Sequence, residues 1–354
     1  MYAKKYRTIL PAMLACSISL MAACETSGQV APTPVIEQVV EIAPVQSETS
    51  IQTAIPVSPI TERMNESLVR AAGNHAVLMT HVNRIPTEEI SSPEHMNKTM
   101  DGLTQVFSPS LGPALIGYGA LIGAQNSKFV EGVLSTSKQQ GIDSVIYQLY
   151  VDPNYAVKLP GALSATSDIQ TYWTNDIASI ERSSEHIKDQ SYSMQEKEQW
   201  KKKRADSRAE RLQVIGNATS TRFVAPDITT QQIAEVGTIR ASDVSGFVKR
   251  QQFWQAYGHI EQPQTENSAL SYIGIMQRKA LTLSALEILG ATGAESSEWI
   301  EKYMASPHLT QCINTARLNT EQCIAAVHFK YEDAFCIAAH ELKEISTCMS
   351  GHAL

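Results

Sequence analysis

Cys312, Cys323, Cys336 and Cys348 alternate with His328, His340 and His352 at the C-terminal end of this chain. Thiols and imidazoles at this density support two kinds of chemistry: cysteines close disulfides, or both residue types hold a metal such as zinc. Cys336 and His340 stand one helical turn apart, a spacing open to a ligand pair, but no CxxC knuckle accompanies them. His340-Glu341-Leu342-Lys343-Glu344 reads HExxE. In the metalloprotease helix HExxH, two imidazoles one turn apart grip zinc while the glutamate acts as base. Here a carboxylate takes the second ligand position, and the segment reads as surface helix residues.

A second cluster is His75, His81 and His95 with Glu88-Glu89 between them, the residue types of a general acid–base site. His75 falls on an apolar stripe, so it is expected as a packed, hydrogen-bonded core histidine. Trp200-Lys201-Lys202-Lys203-Arg204 has the charge to touch anionic lipid or a polyanion. Glu196, Glu198 and Asp206 dilute it, which predicts a solvated helix face. There is no GxSxG, Walker-type loop or dinucleotide fingerprint, and Gly117-x-Gly119 lacks the preceding strand of a phosphate loop.

The elements that must position these residues read as helices. Met64, Leu68, Ala71, His75, Leu78, Val82 and Ile85 repeat at three- and four-residue steps and stop at Pro86. Ser92-Pro93-Glu94 has the grammar of an N-cap, a first-turn proline and a first-turn acid, with Met96, Met100, Leu103 and Phe107 following on one face. Leu111 to Ala124 is uncharged and glycine-rich, suited to a buried helix that neighbours approach closely. Shorter helices are expected over 127–140 and 143–150. The polar stretch 168–215, with Trp173, Ile177, Ile180, Ile187 and Met194 in heptad-compatible register, predicts one long helix or a helical hairpin. Asn267 to Leu289 is apolar all round, as in the centre of a core, and Gly290 is a good stop. No run alternates over more than about five residues, so strands are not expected.

All but three of the 29 Lys and Arg residues (Lys4, Lys5 and Arg7) lie beyond residue 23, against 36 Asp and Glu. That acidic balance argues against nucleic acid as a partner, which needs a cationic footprint. The three basic residues precede an uncharged run, Ile9 to Leu20, too short to span a bilayer, and Met21-Ala22-Ala23-Cys24 closes it. Over residues 1–24 the chain resembles bacterial lipoprotein precursors. That resemblance implies cleavage before Cys24, a diacylglyceryl group on its thiol and acylation of the new amine. Met21 stands where the pattern more often has Leu. Glu25 follows the cysteine where enterobacterial lipoproteins of the inner membrane carry Asp, which favours the outer membrane. One acyl chain binds marginally at about 0.8 kcal/mol per methylene, and two or three together hold firmly. Residues 24–59 carry Pro32, Pro34, Pro44, Pro56 and Pro59 and no Lys or Arg, and read as a disordered tether. Its r.m.s. span would be roughly 30–35 Å.

Export to an oxidising compartment favours disulfides over a metal for Cys312, Cys323, Cys336 and Cys348. If the chain turns near Phe329-Lys330, antiparallel helices would set Cys323 opposite Cys336 and Cys312 opposite Cys348. The step from Cys312 to Cys323 is close to three helical turns, whereas that from Cys336 to Cys348 drifts about 120° further, so Cys348 is expected past the helix end. Over residues 312–348 the pattern is loosely similar to the nested disulfide hairpins of twin-cysteine helical proteins, with different spacings. Sequential pairing, Cys312 with Cys323 and Cys336 with Cys348, is the other arrangement the spacing allows.

The expectation is an all-α protein: signal peptide 1–23, tether 24–59, helical body 60–305 and a disulfide-stapled helical hairpin 306–354. Its expected role is that of a lipid-anchored module on the periplasmic face of the outer membrane, contacting the membrane and other envelope proteins, with no cofactor or metal and no catalysis. Two other readings compete. One is an all-α peptidoglycan-cleaving enzyme with Glu88 or Glu89 as its acid. The other is a binder of apolar ligands with an enclosed cavity near 111–124 or 270–289.

Overall fold

The structure, a computed structural model, describes residues 65–220, 224–237 and 273–353, and every statement below concerns those. Cys24 and the segments expected as signal peptide and tether lie outside them. All described residues, those of the C-terminal hairpin included, belong to one compact unit.

Among the described residues there are helices and no named strand, so the protein is all-α. Helix α1 (Glu66–Arg84) opens at Asn65, whose side chain accepts from the Ser67 amide. Helix α2 (Pro93–Leu103) starts at Ser92, whose hydroxyl accepts from His95 N–H, as its cap sequence predicts. Helix α3 (Leu111–Ala124) is followed by α4 (Ser127–Gln140) and α5 (Ile142–Val151). The long polar stretch resolves as one 35-residue helix, α6 (Ala162–Glu196), about 52 Å at 1.5 Å per residue. Then come α7 (Glu198–Lys201), α8 (Arg208–Ser220), α9 (Asp227–Gly237), α10 (Ile275–Ile288) and α11 (Ser297–Met304). Gly290 ends the α10 segment in a left-handed conformation, φ 67°, which a glycine adopts without cost.

Helix α3 is the hub of the core. Its Gly117, Gly119 and Gly123 let three different helices approach: Ala71 of α1, Trp173 of α6 and Ser284 of α10. A Cβ at Gly117 would lie 2.7 Å from Ala71, and one at Gly119 2.7 Å from the Trp173 ring. The Ser284 hydroxyl lies 2.8 Å from the carbonyls of both Ala120 and Ala280 and its single proton serves one or is shared between them, so a polar atom is satisfied at that crossing. Helix α10 is buried from Ala280 to Leu286, as its all-round apolar sequence predicts.

Helix α1 departs from its expected single stripe. Gly73, Asn74 and Ala76 are buried as well as the apolar positions. The segment leading into α9 covers its outer side: Ala225 packs on Gly73, and the Asn74 side chain accepts from the Ala225 amide at 2.8 Å. No single described helix is long and apolar enough to cross a membrane; α2 and α3 pass such a test only as a pair bent by 77°, and α3 is buried in the core.

The C-terminal end is the expected hairpin. Helix α12 (Pro307–Ala326) turns through 327–329 into α13 (Lys330–Cys336), a π-helical turn (Ile337–Leu342) and α14 (Lys343–Ala353). The disulfides are nested, Cys312–Cys348 and Cys323–Cys336, with Cα–Cα distances of 5.7 and 5.6 Å. Cys348 lies inside α14 rather than past a helix end, which corrects the sequence expectation. The π turn is the reason. Its hydrogen bonds close over five residues instead of four and absorb one extra residue. The twelve-residue step therefore behaves like the eleven-residue step facing it, and both sulfurs of each strand of the hairpin point at the partner helix.

Candidate functional site

His75 and Asp176 bind each other across α1 and α6, Nε2 to Oδ2 at 2.8 Å, and both are buried. The His75 ring packs against Tyr118 of α3 with centroids 4.3 Å apart and planes tilted by 33°, and Tyr172 meets Tyr118 edge-on. Burial, with Asp176 nearby, pushes the Tyr118 phenol well up, while burial with Asp168 and Asp176 pushes Tyr172 to about 12. His75 Nδ1 and Trp173 Nε1 are left without hydrogen-bond partners. This is the core histidine the stripe implied: a polar pin through three helices, sealed from solvent.

His81 and His95 do not join His75. They line an open cleft of about 310 Å³ between the end of α1 and α2, with Arg84, Glu88, Lys98, Thr99 and Gly102. Glu88 accepts from Arg84 Nε at 3.0 Å and lies 3.3 Å from His95 Nε2, and these partners, Arg84 first, hold its carboxyl below the usual range. His81 sits against Gly102, and burial together with Arg84 lowers its imidazole. Glu89 points elsewhere and bonds Lys197 at 2.8 Å, which lowers its carboxyl as well. A general acid needs the opposite shift.

A second opening, of about 320 Å³, lies between α6 and the hairpin. Tyr192, Val327, Tyr331 and Phe335 give it an apolar, aromatic lining, and the inner disulfide Cys323–Cys336 forms part of its wall.

The HExxE segment is not a surface face, contrary to the sequence expectation. His340 and Glu344 do pair, Nδ1 to Oε1 at 2.7 Å, and Glu344 also accepts from Asn319. Glu341, however, is fully buried inside the π turn; its Oε1 has no partner, and burial pushes the carboxyl up to about 8. The signal was present in the sequence: Ala338, Glu341, Leu342, Ile345 and Met349 share one helical stripe, and all five are buried. No group of three or more His, Cys, Asp or Glu that could hold a metal occurs among the described residues.

The basic run also differs from a simple solvated face. Trp200 is buried, Lys201 pairs with Glu198, and Arg204 lies over the Phe329 ring at 4.7 Å. Beyond it a buried ion network escaped sequence reasoning. Arg211 donates to Asp333 at 2.6 Å and to the Ile324 carbonyl; Lys330, fully buried, reaches Asp206 at 2.6 Å and Asp333 at 3.0 Å. Two cations and two anions balance, tying α8 and the loop before it to the hairpin.

Compared with known proteins, the chain matches no family model, no curated protein and no solved structure. The reading of this site therefore rests on its own geometry.

Proposed function

We propose that this chain is a lipid-anchored protein of the bacterial envelope. Acyl chains on Cys24 hold it to the outer membrane on the periplasmic face, and its helical body serves as a structural or interaction module for other envelope proteins. The single observation that carries the reading is the pair of nested disulfides at the end of a body whose N-terminus reads Met21-Ala22-Ala23-Cys24. Bridges of this kind persist where proteins are exported into oxidising surroundings, and the resemblance of residues 1–24 to bacterial lipoprotein precursors supports that route.

The ion pairs of Glu88 with Arg84 and of Glu89 with Lys197 disfavour these two residues as the acid of a peptidoglycan-cleaving enzyme. Glu88 and Glu89 are both held ionised by cationic partners, so neither is poised to donate a proton to a glycosidic oxygen. The apolar-ligand reading is disfavoured by packing: the space left by the α3 glycines is taken up by Ala71, Trp173 and Ser284.

Labelled palmitate fed to cells expressing the full chain tests the anchor. Incorporation that disappears in Cys24→Ser, together with release of that variant from the membrane fraction, is the expected result. A Cys24→Ser protein that still fractionates with membranes ends the proposal. Crosslinking in intact cells tests the module role, which predicts a reproducible envelope partner that depends on the anchor.

A further inference from the structure

The cleft between α1 and α2 gathers Arg84, Lys98, His81 and His95 around a single carboxylate, Glu88. Arg84 lines the cleft and engages Glu88 through Nε, the one Arg84 contact to a carboxylate among the described residues. Lys98, exposed on α2, has no carboxylate partner, although Asp101 is one turn along its own helix. His81 lines the same cleft with its imidazole wedged against Gly102, and His95 stands opposite on the face that carries Lys98, Thr99 and Gly102. One carboxylate, Glu88, faces these four basic side chains. It is already shared between Arg84 and His95, so it acts as an internal stand-in for an anion. The Thr99 hydroxyl donates to the His95 carbonyl at 3.0 Å and remains an acceptor, and Ile85 and Leu103 supply an apolar floor.

We propose that this cleft is a binding site for a phosphoryl group carried on a small polar molecule or on a lipid headgroup. A planar guanidinium fork and a point-charge ammonium lining one space with His95, and with His81 as a neutral hydrogen-bonding group, suit a tetrahedral phosphate oxyanion better than a single planar carboxylate. A volume of about 310 Å³ is at the small end of ligand sites, enough for a phosphate ester of a short alcohol and too little for a nucleotide with its base. Glu88 competes with the ligand for Arg84 and His95, which gives the site a signature that an ordinary surface ion pair lacks. Removing a negative charge from it must tighten binding, while removing Lys98 must weaken it.

The test is calorimetric titration of the purified full chain with inorganic phosphate and with glycerol 3-phosphate in chloride buffer. Co-flotation of the Cys24→Ser chain, which has no site for the acyl anchor, with phosphatidylglycerol vesicles, against phosphatidylcholine vesicles, runs in parallel. Saturable binding that weakens about tenfold in Lys98→Gln and tightens severalfold in Glu88→Gln is expected. Both positions face solvent, and unchanged circular dichroism shows that each variant keeps its fold. Titration of the soluble esters with no vesicle binding assigns the site to a free phosphorylated ligand. Lys98-dependent flotation with phosphatidylglycerol alone assigns it to a headgroup. No saturable binding in any arm, or binding that both variants leave unchanged, overturns the proposal.

Discussion

Arg211 and Asp333, 122 residues apart in sequence, meet at 2.6 Å with both side chains buried. The pair joins α8 to the first turn of the hairpin's return helix, and Lys330 completes it from one turn away. A buried pair of this kind adds modestly to stability when intact but is costly to break, because the partner left behind is an uncompensated charge.

Arg211→Met should therefore destabilise by about 3–5 kcal/mol, and Asp333→Leu by a similar amount since it leaves Arg211 and Lys330 with one carboxylate, Asp206. Arg211→Met combined with Asp333→Leu should recover part of the loss. Urea denaturation followed by circular dichroism reads all three. Equal and additive costs in the double variant would show that the pair is not coupled.

Glu341 makes stability depend on pH. Burial lifts its carboxyl from the ordinary 4.5 to about 8, so the folded chain keeps a proton that the unfolded chain releases. The stability tied to that proton is intact below about pH 4.5 and is lost as pH rises through about 8. Glu341→Gln keeps the shape without the acid. It should match the parent near pH 4 and exceed it near pH 9, by an amount on the order of a few kcal/mol. Glu287, which burial pushes to about 7, should give the same sign with a smaller amplitude in Glu287→Gln. Thermal melts across this range decide; parallel curves for variant and parent would refute the assignment.

The two bridges should differ in worth according to the loops they close, 36 residues for Cys312–Cys348 and 13 for Cys323–Cys336. Chain-entropy arguments give each about 3–4 kcal/mol, with the outer bridge greater by about 1 kcal/mol. Paired Cys→Ser variants, compared in urea, should rank in that order. Partial digestion without reductant, followed by mass spectrometry, should recover the nested peptides and no Cys312–Cys323 species.

Gly119 faces the Trp173 ring so closely that a single methyl group has no room. Gly119→Ala should cost about 1–3 kcal/mol through displacement of α6 from α3. Gly216, with open space around its Cα, is the control: Gly216→Ala in the middle of α8 should stabilise by about 0.5–1 kcal/mol.

Much of the architecture could be read from the residues because its signals are local. Ser92 marks the start of α2 and Gly290 the end of α10, and the uncharged stretch Leu111 to Ala124 is a helix with those limits. The hairpin and its turn followed from the spacing of four cysteines, although that spacing left two pairings open. What could not be read depends on distant partners. Asn74 looks like an exposed polar residue until Ala225 covers it, and Lys330 looks like a turn lysine until Asp206 and Asp333 surround it. Of the histidine–carboxylate cluster, the sequence located the residues but not their division into a sealed pair at His75 and an open cleft at His81 and His95.

The π turn at Ile337–Leu342 also makes the return helix a ruler with one surplus tick. A chain one residue shorter there would relax into plain α-helix and bring Cys348 to the same sulfur opposite it. A chain one residue longer would swing Cys348 about 100° around the helix and leave two thiols unable to meet. Length variation in this stretch is thus tolerated in one direction only, and the buried acid Glu341 sits on the very turn that carries the slack.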